Sequence, residues 1–227
     1  MEQPQIAELE INGKTVVSFP GAENAHPGST KVYFSDGKRN FMIPLPAFQR
    51  KLLRDGEKGS GSFFAFTAIS AKKGLHLKIS VRDSERGPRN AHAPWEGDSI
   101  ELFFDSSPLD NPQNIYAGER VKRLFLAPAS ANGLPEHKSA SGMNAAHIRA
   151  TISGSQDGYR AEVLIPWSEL GMQSPGILGF DVKINNVTQK GKLSSEIWSG
   201  NKENHRFRHR YGLWYPTQKT TKENMEK

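Results

Sequence analysis

Residues 93–105 read APWEGDSIELFFD, and this stretch decides how the rest of the chain is interpreted. Apolar and mainly polar side chains alternate through its second half, with Ile100, Leu102 and Phe104 on one side and Ser99, Glu101, Phe103 and Asp105 on the other. A period of two residues is typical of a β-strand with one face in a core. The stretch therefore predicts a strand that buries its even-numbered residues and presents Glu101, Phe103 and Asp105 on its opposite face.

Composition limits the protein class before any motif is considered. The chain has 227 residues, of which 36% are hydrophobic, and its mean hydropathy is −0.61. This composition suits a globular protein, and no apolar run is long enough for a membrane span. The absence of cysteine excludes disulfides, a thiolate nucleophile and a zinc–cysteine site. The formal charge of +6 comes from basic residues that are scattered except around His205 to Arg210, which we interpret as a solvated basic loop. We therefore expect neither a nucleic-acid nor a membrane partner.

The same alternation recurs in other segments, including residues 75–82, 159–166 and 180–185. Turn residues separate many short segments of this kind, and helical periodicity is almost absent. We therefore predict an all-β fold, an antiparallel β-sandwich or jelly-roll with one or two short helical turns. Residues 129–145 are rich in glycine, alanine and serine, and we expect a mobile loop there.

Three segments divide the predicted fold. Residues 1–59 contain short apolar runs around the turn Asn12-Gly13, and we expect hairpin strands and a loop that pack on or complete the sandwich. Residues 60–216 contain the main strands. Residues 217–227 are polar and are expected to fray. The N-terminus lacks the basic and apolar regions of a signal peptide.

Trp95 precedes the organising strand in a loop that contains proline and glycine, and Glu101 lies on the strand's predicted outward face. An aromatic ring covers the apolar C–H face of a pyranose, and a carboxylate accepts hydrogen bonds from its hydroxyl groups. This pair therefore favours sugar binding. By contrast, Trp167 follows the inward-facing Ile165 and Trp214 lies in the closing strand, so we expect both indoles in the core.

Four motifs together resemble the family 9 carbohydrate-binding modules of the wider DOMON-like superfamily. They are WEGDSIELFFD at 95–105, GYRAEVLIPW at 158–167, LGFDV at 178–182 and the late Trp198. The resemblance covers residues 60–215 and implies a β-sandwich that binds oligosaccharide or polysaccharide. It also implies an extracellular or periplasmic location, and other modules of a larger carbohydrate-active chain as further partners.

The resemblance also implies roles for individual residues. Trp95 and Trp198 would enclose a sugar ring, and Glu101 would bind its hydroxyl groups. The family's basic residue lies on the next strand, where Lys122 and Arg123 compete; we favour Arg123 because Leu124 and Leu126 are expected to point inward. Nearby amides such as Asn185 would read further hydroxyls. Where the family often has an asparagine, three residues before the second tryptophan, this chain has Ser195.

No cofactor is required by this interpretation, although some members of the family carry structural calcium. Asp83, Asp98 and Asp105 offer hard oxygen ligands in or beside loops, which suits calcium. They do not form a spaced metal motif, so they are metal candidates only.

Two other functions stay open. A glycoside-cleaving enzyme needs two carboxylates about 5 to 9.5 Å apart, whereas Glu101 and Asp105 would lie about 13 Å apart along one strand. Glu101 with Glu162 fits only if their strands are neighbours. A haem domain of the DOMON-like group would need a methionine ligand, for which Met143 and Met172 are candidates.

Overall fold

The computed structural model describes residues 51–108, 121–155, 157–200, 205, 208 and 211–216, and the backbone of four strands in the first 50 residues. It divides the chain into two compact units, residues 1–49 with 216–227 and residues 50–215. The tail predicted to fray, residues 217–227, lies outside the described residues. Within the described part, no helix combines the length and the apolar character that crossing a membrane requires.

The smaller unit contains two antiparallel strand pairs. Strand β1 (Ala7–Ile11) pairs with β2 (Lys14–Ser18), and β3 (Lys31–Ser35) pairs with β4 (Asn40–Pro44). The first pair is the hairpin that Asn12-Gly13 predicted.

Twelve strands form the larger unit. They are β5 (Leu52–Arg54), β6 (Lys58–Ser60), β7 (Phe64–Ala71), β8 (Gly74–Arg82), β9 (Ser99–Asp105), β10 (Val121–Ala127), β11 (His137–Ser141), β12 (Arg149–Ser155), β13 (Gly158–Pro166), β14 (Leu178–Val187), β15 (Leu193–Ile197) and β16 (Gly212–Tyr215). Two 3₁₀ turns, Pro94–Glu96 and Ala145–His147, precede β9 and β12. Strand β11 falls within residues 129–145, so the mobile loop expected there is wrong.

These strands form two sheets. The seven-stranded sheet has the order β11-β10-β9-β14-β16-β5, with β15 also paired to β14. The five-stranded sheet has the order β12-β13-β8-β7-β6. All pairs are antiparallel except β16 with β5. The predicted all-β sandwich is confirmed. Strand β5 and two residues of β6 lie within residues 1–59, the segment predicted to pack on or complete the sandwich, and both strands pair with strands of the larger unit.

The core lies between the two sheets and follows the predicted alternation. Ile100, Leu102 and Phe104 of β9 are fully buried, as are Leu75 and Leu77 of β8. A side chain buried to this extent contributes roughly 1.5–3 kcal/mol to folding. The face of the seven-stranded sheet that points away from this core is called the outer face below, and it carries Glu101, Phe103 and Asp105.

Candidate functional site

The outer face of β9 has the predicted residues but not the predicted exposure. Glu101 is 3% exposed, Asp105 1% and Phe103 0%. The sequence pattern assigned these side chains to the correct side of the strand, since their neighbours Ile100, Leu102 and Phe104 fill the core. The expectation that they face solvent is wrong, because Tyr211 packs on Phe103, Arg208 pairs with Asp105, and Lys183 and Asn185 of the adjacent strand contact Glu101.

Three residues between β15 and β16 cover one end of the outer face. Ser199 donates hydrogen bonds to Asp181 of β14 from its backbone N–H, at 3.0 Å, and from its hydroxyl, at 2.6 Å. Arg208 Nε donates to Asp105 Oδ2 at 2.6 Å, and the Tyr211 ring centroid lies 5.8 Å from that of Phe103. The pairing of buried Arg208 with buried Asp105 explains why this acid tolerates its position.

A polar cluster surrounds Glu101 at the middle of the outer face. Lys183 Nζ donates to Glu101 Oε1 at 2.7 Å, and Asn185 Nδ2 donates to the same oxygen at 2.9 Å. Asn185 Nδ2 also lies 3.0 Å from the Ser99 hydroxyl oxygen, to which it donates. The antiparallel pairing of β9 with β14 places Glu101 opposite Lys183 and Ser99 opposite Asn185. We call Glu101, Lys183, Asn185 and Ser99 the Glu101 cluster.

The two basic candidates of β10 lie on opposite faces of the sheet. Arg123 is paired with Phe103, and its guanidinium lies 5.0 Å from the Phe103 ring centroid on the outer face. Lys122 is paired with the core residue Phe104 and donates to the carbonyl oxygen of Glu169; burial lowers the pKa of Lys122. The preference for Arg123 over Lys122 thus agrees with the side on which each residue lies. The cation that contacts Glu101 is, however, Lys183.

Sequence reasoning missed Lys183 as a member of the site. The sequence does show on which face Lys183 lies, because it alternates with Val182 and Ile184 and must therefore point away from the core. The missing information was the strand order, because nothing local indicates that β14 lies beside β9. The Ser195 that replaces the family's asparagine is opposite Asn185 in the β14–β15 pair and is exposed.

Trp95 is exposed, as predicted. It lies in the 3₁₀ turn Pro94–Glu96, where proline fits the first position because a missing N–H costs little there. This turn packs against both β9 and β14. With 51% of its surface exposed, Trp95 offers a large aromatic ring to solvent, four residues before Ser99 of the Glu101 cluster.

Trp198 is not the exposed plate that the sequence predicted. Only 4% of its surface is exposed, and it belongs to the hydrophobic core. Its ring centroid lies 5.5 Å from that of Phe66 in the opposite sheet, edge to face, and 6.1 Å from that of Phe180. Gly212 leaves room for the indole, since a Cβ there would lie 2.1 Å from Trp198 Cζ3. The slot between two open indole faces is therefore absent here.

The other two tryptophans are core residues, as predicted. Trp167 is 5% exposed and Trp214 is fully buried, with ring centroids 6.0 Å apart. Each indole N–H donates to a backbone carbonyl oxygen of β7, Trp167 to that of Ala71 and Trp214 to that of Ala68. These bonds satisfy the polar atom that an indole brings into a core.

The three acidic metal candidates separate into a pair and a single residue. Asp105 forms an ion pair with Arg208. Asp83 and Asp98 are both buried, and burial followed by the charge of Asp98 raises the pKa of Asp83 to about 6. Burial likewise raises the pKa of Asp98. Among the described residues, no three His, Cys, Asp or Glu side chains converge on one point.

The residues of the two alternative functions lie apart from the Glu101 cluster. Glu162 belongs to β13 in the five-stranded sheet, whereas the strands beside β9 are β10 and β14, so Glu101 and Glu162 are not strand neighbours. Glu162 Oε1 instead lies 2.7 Å from His76 Nε2. Met143 and Met172, the haem-ligand candidates, are partly buried and pack against the hydrophobic core.

Comparison with known proteins identifies the family. The family model for carbohydrate family 9 binding domain-like sequences matches residues 52–212. Endo-1,4-beta-xylanase A of Thermotoga neapolitana is 26% identical over 129 residues, which are 56% of this chain and 11% of that protein. Exoglucanase XynX of Acetivibrio thermocellus is 26% identical over 125 residues, 55% of this chain and 11% of that protein. The chain thus spans about a tenth of the length of these relatives.

Solved structures show the same fold. A family 9 carbohydrate-binding module from Caldicellulosiruptor kristjanssonii in complex with glucose has a TM-score of 0.59 and 17% identity, covering 77% of this chain and all of that one. A family 9 module from the same organism in complex with cellotriose has a TM-score of 0.57 and 16% identity, and the match covers 76% of this chain and 95% of that one. Because the family model matches residues 52–212, well over half of the chain, this chain belongs to the carbohydrate family 9 binding domain-like proteins.

Proposed function

We propose that this chain is a non-catalytic carbohydrate-binding module whose sugar site lies at the Glu101 cluster and Trp95. One face of a sugar ring stacks on the exposed Trp95 indole, and hydroxyl groups bond to Glu101 and Asn185. Lys183 holds the carboxylate in place, and Arg123 adds a positive charge on the same face. The module would direct an attached or partner enzyme to a polysaccharide.

The arrangement of donors around Glu101 carries this proposal. Lys183 and Asn185 both donate to Oε1, and within the described part of the chain no donor bonds to Oε2. A carboxylate oriented through one oxygen leaves the other ready to accept a hydrogen bond from a sugar hydroxyl without reorganisation. Charge-assisted hydrogen bonds of this kind are roughly twice as strong as neutral ones.

Trp95 supplies the apolar part of the contact. Its ring is 51% exposed, and the 3₁₀ turn that carries it ends three residues before Ser99 of the Glu101 cluster. A stacking contact adds roughly 1 kcal/mol beyond the area that it buries. Because sugar hydroxyls give up water on binding, we expect weak affinity, with Kd in the micromolar to millimolar range.

The relatives support the class of ligand and the targeting role. The matching proteins are a xylanase and an exoglucanase, and the similar modules hold glucose or cellotriose. Glucans and xylans are therefore the first polymers to test. A targeting module of such enzymes would act outside the cytoplasm, either in a longer secreted chain or beside a secreted partner.

Tryptophan fluorescence and calorimetric titration with glucose, cello-oligosaccharides and xylo-oligosaccharides test the proposal. Trp95→Ala should weaken binding at least tenfold, which corresponds to about 1.4 kcal/mol. Ile69→Ala is the matched control, because Ile69 is also a large exposed hydrophobic residue, 38% exposed, but lies in the five-stranded sheet. Binding that is equal in wild type and Trp95→Ala contradicts the site.

The alternatives give different results in the same samples. Release of reducing sugar from xylan or cellulose, lost in Glu101→Gln, would identify an enzyme instead. A Soret absorption band in the purified protein would identify a haem domain. The absence of sugar binding on a broad glycan array would remove the carbohydrate function.

We also propose that a calcium ion stabilises the fold at Asp83 and Asp98. Asp83 and Asp98 are both buried, and the charge of Asp98 contributes to the raised pKa of Asp83. A divalent cation would compensate for the cost of burying two such charges. Asp83 Oδ2 and the Tyr159 hydroxyl are both buried and have no hydrogen-bond partner. Burial, and then the charges of Asp98 and Asp83, raise the pKa of Tyr159.

Thermal melts in calcium and in EGTA test the ion. Calcium should raise the Tm of the wild type. It should not change the Tm of Asp83→Asn, because one of the two proposed ligands is then neutral. Glu57→Gln, at an exposed acid in the β5–β6 turn, is the control and should respond as the wild type does. A Tm independent of calcium in the wild type, or an equal rise in Asp83→Asn, removes this proposal.

A further inference from the structure

The five-stranded sheet also has a side that points away from the core, and this side is rich in positive charge. Leu77, Ile79 and Val163 are buried in the core, so the residues that alternate with them point the other way. Five exposed residues on that side are basic, namely Lys58 of β6, Lys78 and Arg82 of β8, Arg149 of β12 and Arg160 of β13. We call these five residues the basic face.

The strand register brings members of the basic face close enough to act on one ligand. Lys58 and Lys78 flank the same residue of β7, so about 9–10 Å separates their Cα atoms. Arg160 is paired with Ser80 of β8. It is therefore a diagonal neighbour of Lys78 and of Arg82, at about 7–8 Å. These separations are close to the Debye length of about 8 Å at physiological ionic strength, so the potentials of neighbouring cations add.

Little on this side of the sheet neutralises the basic face. Glu162 is the one acid among the residues of these five strands that point outward. Glu162 Oε1 lies 2.7 Å from His76 Nε2 and 3.8 Å from Lys78 Nζ. In the part of the chain that the structure describes, no acid forms an ion pair with Arg149 or Arg160. Their charges are available to a ligand.

The side chains between the cations are small. Thr67, Ser80, Thr151 and Ser153 point outward there, and their hydroxyl groups can donate and accept hydrogen bonds. No outward position of these strands, all of them described, carries the Phe, Tyr or Trp on which nucleic-acid bases stack. Ile69 is the one large apolar side chain that is exposed on these strands, too little for insertion into a lipid surface. The surface suits a polar, anionic polymer.

We propose that the basic face binds an acidic polysaccharide, a polymer whose sugar units carry carboxylate groups. Lysine and arginine form charge-assisted hydrogen bonds with carboxylates, and the guanidinium groups of Arg82, Arg149 and Arg160 can each bind one in bidentate geometry. The small polar residues between them accommodate an extended chain. Because the basic face belongs to the other sheet from Glu101, this function is additional to the proposed sugar site and does not depend on it.

Binding of the full chain to immobilised polygalacturonate tests the proposal by biolayer interferometry. The wild type should bind at about 50 mM NaCl and be released at about 500 mM, because salt screens exposed charges. The fully methyl-esterified polymer, which has lost its charge, should not bind. Lys78→Gln/Arg160→Gln should weaken binding on the order of tenfold. Lys190→Gln/Lys192→Gln removes the same charge from exposed positions of the β14–β15 hairpin and should bind as the wild type does.

Glu162→Gln should give a gain that misfolding does not produce. It removes the acid that opposes the basic face, so the affinity for polygalacturonate should rise about threefold. Glu136→Gln changes the net charge equally at an exposed glutamate before β11, outside the five-stranded sheet, and is the matched control. Its affinity should equal that of the wild type.

The results that overturn the proposal are distinct. They include a wild type that does not bind polygalacturonate at low salt, and equal affinity for the esterified polymer. Equal effects of the two double variants, or of the two glutamate variants, would mean that net charge acts instead of this face. Tighter binding to a single-stranded oligonucleotide or to phosphatidylserine vesicles would assign the face to another partner. Loss of polygalacturonate binding in Trp95→Ala would assign the polymer to the sugar site, whereas failure of neutral sugars to bind affects only the proposed function.

Discussion

Lys183 Nζ lies 2.7 Å from Glu101 Oε1, across the pairing of β9 with β14. The Glu101 side chain is 4% exposed and that of Lys183 is 21% exposed, so the pair lies largely out of water. A buried acid persists when it is paired and hydrogen-bonded, which Lys183 and Asn185 accomplish together. This contact links the stability of the sheet to the orientation of the carboxylate that the proposed site uses.

Replacing Lys183 with methionine should destabilise the protein by about 3 kcal/mol, because Glu101 is then left buried without its cation. The double variant Glu101→Gln/Lys183→Met should recover part of that loss. Urea unfolding of the wild type, Glu101→Gln, Lys183→Met and the double variant measures the coupling energy between the two side chains. Lys190→Met, at an exposed lysine of the hairpin turn, should change stability by less than about 0.5 kcal/mol. Strict additivity of the two single changes would contradict a direct interaction.

Replacing Trp198 with alanine should mainly reduce stability, whereas replacing Trp95 with alanine should mainly reduce sugar binding. Trp198→Ala removes a buried indole packed on Phe66 and Phe180, so it should cost about 3–5 kcal/mol of unfolding free energy. Trp95→Ala should cost less than about 0.5 kcal/mol, because the ring is half exposed, and should affect sugar binding instead. Denaturant unfolding measures both. A Trp198→Ala protein as stable as the wild type would contradict the core position.

We expect the contacts of the Glu169 carboxylate to make the protein less stable at acidic pH. His147 Nδ1 lies 2.6 Å from Glu169 Oε1, and the Asn144 N–H donates to Glu169 Oε2 at 2.7 Å. The contact with His147, and then that with Asn144, lower the pKa of Glu169 below its ordinary 4.5. A pKa lower in the folded state than in the unfolded chain means that this stabilisation is present above pH 4.5 and is lost as the pH falls through the folded-state value.

Thermal melts at about pH 6 and about pH 3 check the sign of this effect. Glu169→Gln should have a lower Tm than the wild type at the higher pH, and the difference should close at the lower one. Glu136→Gln, at an exposed glutamate, controls for the loss of one negative charge. A difference that widens in acid would contradict the lowered pKa.

Local alternation was enough to predict the sandwich and the faces of its strands. It assigned Ile100, Leu102 and Phe104 to the core, and it placed Arg123 on the side of Glu101. Period two reports which residues share a face, but it does not report what lies over that face. The burial of Phe103 and Asp105 depends on Tyr211 and Arg208, more than one hundred positions later.

Long-range packing also explains the error at Trp198. A glycine and polar residues follow this tryptophan, as they would in an exposed loop. Its ring is buried because Phe66 of the other sheet lies against it and Gly212 of β16 leaves space for it. Both contacts join residues that are distant in sequence, so neither has a local pattern. For the same reason the pairing of Lys183 with Glu101 was not predicted.

Two glycines with positive φ should differ in what alanine costs. At Gly133, φ is +84° and a Cβ meets no atom within 4 Å, so Gly133→Ala should cost only the backbone strain of about 1–2 kcal/mol. At Gly158, φ is +145° and a Cβ would lie 2.0 Å from the carbonyl oxygen of Val81. Gly158 pairs with Arg82 at the start of β13, so relieving this clash must open the β8–β13 pair. Gly158→Ala should therefore lose clearly more unfolding free energy in urea, and equal losses at the two positions would contradict this packing.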